Sequence, residues 1–200
     1  GFYAESDAKS HAEVLRKEGL DVLDYGVTAY STIGWFDDPV LNTFVSFPEG
    51  ELARIIFHEL AHQVVYTKDD TIFNESFAVA VEEEGVRRWL TGQGKAAERK
   101  AFDDSRTRRA QFVHLILNYQ TRLGDAYARD LEPSAKRAEK QRLFDELRAD
   151  YERMKRERWG GSIAFDRWFA RDLNNAHLAS VATYGDFVPA FHALSTENDG

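Results

Sequence analysis

His58-Glu59-Leu60-Ala61-His62 carries two imidazoles and a carboxylate within five consecutive positions. At about 3.6 residues per turn, His58 and His62 stand one turn apart on a helix and present ring nitrogens to a common point, with Glu59 beside it. Two nitrogens at that spacing suit a Zn²⁺ ion, and a neighbouring carboxylate suits a general base acting on water. The alternative, two packed histidines with a chance Glu between them, has to find buried partners for three polar side chains.

A tetrahedral zinc that keeps a water takes three protein ligands, so a further Asp, Glu or His is required nearby. Glu75 meets the requirement. Twelve residues separate it from His62, enough to finish one helix, turn through Thr67-Lys68-Asp69-Asp70 and return about one turn into the next. Asp69 and Asp70 suit the turn and the cap. Glu82, two turns after Glu75, either orients a ligating histidine from behind or is a solvated carboxylate, and Glu83 and Glu84 read as exposed. A third-histidine zinc site would have Gly and His where Val65 and Lys68 stand, so that class is disfavoured.

The elements that must position these groups are legible from periodicity. Leu52, Ile55, Ile56, Leu60, Val64 and Val65 recur at helical spacing around the pentad, with Pro48 and Gly50 as start punctuation. Asp70-Thr71 opens a second helix that carries Glu75 and buries Phe73, Phe77, Ala80 and Val81. Upstream, a helix over residues 8–18 ends at Gly19, and strands are expected over 21–25, 27–30 and 43–47, with 42–47 placed to pair with an extended peptide. Downstream, Phe102, Phe112, Val113, Ile116, Tyr119, Leu123 and Tyr127 mark a long helix. Pro133 separates it from a second, marked by Leu143, Phe144, Leu147, Tyr151 and Met154, and the two form an antiparallel hairpin. Short helices are expected over 165–173, 174–181 and 187–194.

Two stretches carry a resemblance. His58-Glu-Leu-Ala-His62-Gln63 followed by Asn74-Glu75-Ser76-Phe77-Ala78 resembles a gluzincin, the metallopeptidase group with a HExxH helix and a Glu ligand in the next helix. More closely, Ala29 to Pro39, the pentad helix and Phe73 to Trp89 resemble the bacterial family described as putative aminopeptidases, over about residues 1–90. Farther on the similarity is carried by Asn174-Asn175-Ala176 and Tyr184. The spacing between the ligand segments is shorter than in better-known gluzincins, and Val79 stands where thermolysin-like enzymes carry an Asp beside the site.

The resemblance implies an α+β, predominantly helical, zincin-like fold. It implies one Zn²⁺ per chain on His58, His62 and Glu75, with Glu59 as general base in peptide-bond hydrolysis. It also implies an oxyanion donor after the third ligand, for which Tyr184 is the choice and His177, His192, Tyr119 and Tyr151 compete. Removal of N-terminal residues needs a carboxylate for the substrate's α-ammonium, and Asp37, Asp38 and Glu82 are available, although Asp38 before Pro39 also suits a turn. An endopeptidase, another amidohydrolase and an inert zincin-like scaffold share the same motif. Retention of Glu59 argues against the scaffold, since a structural zinc has no use for a base.

Composition fits a compact enzyme: 200 residues, 43% hydrophobic, 13% aromatic. The reading is one domain in three parts, a catalytic segment 1–92, a helical hairpin 93–160 and a C-terminal helical segment 161–200. Without cysteine, any metal site uses nitrogen and oxygen donors. Charge is −12 over residues 1–86, +7 over 87–158 and −3 over the rest. An acidic lobe favours a cationic peptide terminus, or is simply solvated. The basic stretch alternates its cations with acids at helical spacing, a solvated face rather than a nucleic-acid surface. No apolar run is long enough to span a membrane. Family members are longer at the N-terminus and often begin with a lipoprotein-type signal, so the start at Gly1 implies a fragment of a cell-envelope or periplasmic protein.

Overall fold

The computed structural model describes residues 2–26 and 45–182, together with 191 and 193. The chain divides into two compact units, Gly1–Tyr25 with Arg108–Ala182, and Gly26–Thr107 with Thr183–Gly200.

The second of these units holds the pentad. Helix α2, Glu49–Val64, starts behind Pro48, with Glu49 and Glu51 in its first turn, where the helix dipole favours acids. Helix α3, Thr71–Gly92, is capped by Asp70, whose carboxylate accepts from Phe73 N at 2.9 Å. Between them Asp69 takes a left-handed conformation, φ 64°, which reverses the chain tightly. Asn74 then secures the reversal, its amide receiving Thr67 N and donating to Thr67 O, both at 2.7 Å.

Helices α2 and α3 run antiparallel. Arg54 meets Glu82, whereas His62, two turns later on α2, meets Glu75, two turns earlier on α3. Gly85 lets them close up, because a Cβ there would stand 2.9 Å from the Phe57 ring. Below that contact Val86 and Leu90 of α3 pack with Phe102 of helix α4, Ala96–Ala128, and with Ala53, Phe57 and Trp89. Phe191 adds its ring edge-on to Phe73 and Phe77.

The first unit is built on the remainder of α4 and on α5, Pro133–Arg158. Tyr119 pairs with Asp150, Arg122 with Glu146 and Arg129 with Glu139, an opposed order that makes the two helices an antiparallel hairpin. Ile116, Tyr119, Leu123, Leu143, Leu147 and Tyr151 fill its core with residues of α6, Asp166–Phe169, and α7, Asn175–Ala182. The first helix, α1, Glu5–Lys17, belongs to this unit.

The expected α+β class is overturned: among the described residues the fold is all-helical, with no strand. Residues 21–25 are extended-looking in sequence but have no strand to pair with among the described residues. Their polar groups meet other elements instead: Val22 O accepts from Asn174 Nδ2 at 3.2 Å, and the Asp21 carboxylate accepts from Lys140 Nζ and from the backbone N–H of Asn175. Residues 45–47 form a turn and bend before α2. Apolar alternation marks a half-buried surface, and a strand also needs a partner's ladder. The expected strand over 27–30 and residues 43 and 44 lie outside the described residues. No described helix is long and apolar enough to cross a membrane.

Candidate metal centre

On α2 the inward face belongs to Ile55, His58, Ala61 and His62, while Ile56, Leu60 and Val64 stay exposed. Both histidines turn Nε2 toward Glu75 on α3. His58 Nε2 lies 3.2 Å from Glu75 Oε2, and His62 Nε2 lies 3.8 Å from Glu75 Oε1. One ligand atom from each of the three residues can be chosen so that all lie within 4.8 Å of one another. The rings meet edge to face, their centroids 5.0 Å apart.

Behind this cluster lies a chain of charged groups. Glu82 is 1% exposed and its Oε2 stands 2.9 Å from His58 Nδ1. Arg54 Nη1 donates to both Glu82 oxygens, at 3.2 and 3.1 Å, and its Nε donates to Glu51 at 2.9 Å. Burial opposes the guanidinium's charge, but Glu82 and Glu51 hold its pKa above the usual value. His58 follows the same pattern: burial pulls its pKa down, and hydrogen bonding to Glu75 and Glu82 outweighs that and raises it to about 9. His62 moves the other way, lowered by burial and by His58.

The donor set fits a metal ion. Two imidazole nitrogens and a carboxylate oxygen are the ligand types of catalytic zinc sites. His62 Nδ1 is buried with no hydrogen-bond partner among the described residues. Among the described residues its polar approach is the one Nε2 makes to Glu75, and the His58 ring packs against it. Placing two carboxylates within 3.2 Å of one imidazole also makes a site that attracts positive charge.

Against this geometry stands the comparison with known families. The family model described as "Putative aminopeptidase" matches residues 1–200. The chain belongs to that family. Its description is that of a peptidase, a hydrolase of peptide bonds. No curated protein and no solved structure matches the chain.

Of the residues singled out from sequence, His58, His62 and Glu75 come together, with Glu59 half-buried next to His58. Glu82 is enclosed behind His58 rather than solvated. Glu83 is also buried, with Arg106 at 3.6 Å, and Glu84 is held by Arg87 and Arg88, so neither is the open carboxylate expected. Asp37, Asp38, Tyr184 and His192 lie outside the described residues. Tyr119 and Tyr151 donate to Asp150 and Asp166, and His177 Nδ1 lies 2.9 Å from Asn174 Oδ1. Sequence reading missed Arg54. Its signal was available: it precedes His58 by four residues on the same helix face.

Proposed function

We propose that this chain is a zinc-dependent peptidase that removes N-terminal residues from peptides, of gluzincin type. The observation that carries the reading is the convergence of His58 Nε2, His62 Nε2 and the Glu75 carboxylate, on two helices locked by a short turn.

His58, His62 and Glu75 would hold a zinc ion, which would supply an acidified water and a Lewis acid for the scissile carbonyl. Glu59 accepts the proton of the attacking water and returns it to the leaving amine. Asn74 and Gly85 hold α2 and α3 at the spacing the three ligands need. Tyr184 is assigned to the oxyanion. Asp37 and Asp38 are assigned to the substrate's α-ammonium, an interaction that confines cleavage to the first residue.

The test is an assay of the zinc-loaded protein and its Glu59→Gln variant against peptides with free and acetylated N-termini. Wild type is expected to release N-terminal residues from free peptides only, and Glu59→Gln to bind zinc without turnover. Hydrolysis persisting in Glu59→Gln would remove Glu59 as the base. Equal cleavage of acetylated peptides would make the enzyme an endopeptidase.

A further inference from the structure

The two histidines of the pentad are supported unequally. Nδ1 of His58 faces a buried carboxylate, whereas Nδ1 of His62 is buried with no partner among the described residues. A histidine that binds metal through Nε2 carries its proton on Nδ1. An acceptor at Nδ1 fixes that tautomer and the ring's plane, and makes the ligand a stronger donor.

Glu82 can serve only if its carboxylate stays aimed at His58. Its burial leaves no solvent to hold it, and both its oxygens receive Arg54 Nη1. Arg54 is in turn fixed by Glu51, three residues earlier on α2. Arg54 and His58 lie one turn apart on α2, so one carboxylate arriving from α3 is gripped by both. The register of the two helices thereby becomes the register of the ligand.

Resting on the metal-site reading above, we propose that Arg54 and Glu82 are positioning residues for the metal centre: Arg54 orients Glu82, and Glu82 sets the tautomer and direction of His58, a support that His62 has from none of the described residues. Val79, about one turn before Glu82 on α3, has no polar side-chain atom to offer. The support here comes instead from one turn farther along α3 and is completed by an arginine on the metal helix itself.

The experiment measures Zn²⁺ affinity by chelator competition, and the Nδ1–H proton resonances of the zinc-loaded protein, for wild type, Glu82→Gln, Arg54→Lys and Glu84→Gln. Glu84→Gln removes the same charge from the same helix away from the cluster and is the control. Glu82→Gln is expected to weaken zinc binding by roughly 10- to 100-fold and to move the His58 resonance upfield while that of His62 stays put. Arg54→Lys should shift both readouts in the same direction by less. Affinity and resonance unchanged in both variants, or a loss matched by Glu84→Gln, would overturn the proposal and leave the metal reading intact. No zinc binding by wild type would remove both. If circular dichroism shows Glu82→Gln unfolded, the His58 resonance of Arg54→Lys decides.

Discussion

Asn74 and Thr67 exchange two hydrogen bonds, each 2.7 Å, so the residue beside Glu75 is tied to the backbone of the turn that leaves the pentad helix. The third candidate ligand is thus held by covalent adjacency to a clamp, not by its own contacts alone. Asn74→Ala leaves the clamp's backbone donor and acceptor without their partner. It is expected to cost about 1–3 kcal/mol, read as a lower urea midpoint, together with weaker zinc binding. Asn74→Asp should retain acceptance from Thr67 N but lose donation to Thr67 O, and so fall between. Wild-type stability in Asn74→Ala would show the clamp to be idle.

Gly85 and Phe57 set the distance between α2 and α3. In a free helix Gly→Ala gains about 1 kcal/mol. Here the new methyl would stand 2.9 Å from Phe57 Cγ, an atom near the backbone that cannot swing aside cheaply, and overpacking costs about 1–3 kcal/mol. A net loss is expected in Gly85→Ala, relieved in the double variant with Phe57→Leu. Calorimetric melting of the single and double variants decides, and a rise in Tm for Gly85→Ala alone would contradict the packing argument.

The site was legible where local geometry decides it. The four-residue spacing of His58 and His62 follows from helix pitch, and Asp70 announces a cap from its type and place. Glu82 was ambiguous because its spacing from Glu75 fixes a face of α3 and not what that face meets. Arg54 was only half legible for the same reason: its spacing from His58 puts it on the ligand face of α2 but does not say what it meets there. Of its two acidic partners, Glu51 is three residues away on the same helix, but Glu82 is 28 residues away on the next. The strand expectation over 21–25 failed on a tertiary fact, the capture of that backbone by the side chain of Asn174, 152 residues on. Asn174 and Asn175 therefore have a structural use in this chain, binding residues 21 and 22 to the start of α7.

Glu75 and the metal should be energetically coupled. Glu75→Ala is expected to weaken zinc binding by more than the roughly 10- to 100-fold that the loss of an outer hydrogen bond costs. Zinc at about a hundred times its Kd should stabilise wild type by about 2.7 kcal/mol, seen as a Tm that falls when a chelator is added. Glu75→Ala should show almost no such fall. An undiminished zinc-dependent Tm in that variant would send the third ligand elsewhere.

The metal-free protein should lose stability as pH rises. Glu75 and Glu82 raise the His58 pKa from 6.5 to about 9, so the folded state holds a proton that the unfolded chain releases. Because the folded pKa lies above the unfolded one, this contribution is complete below pH 6.5 and lost as pH climbs through about 9. Its size is on the order of 3 kcal/mol. Urea midpoints in chelator should therefore fall across that window, and Glu82→Gln should flatten the fall. Zinc reverses the trend, since a ligating imidazole must give up that proton and zinc affinity rises with pH. A midpoint independent of pH across the window in chelator would mean that the two carboxylates do not hold a proton on His58.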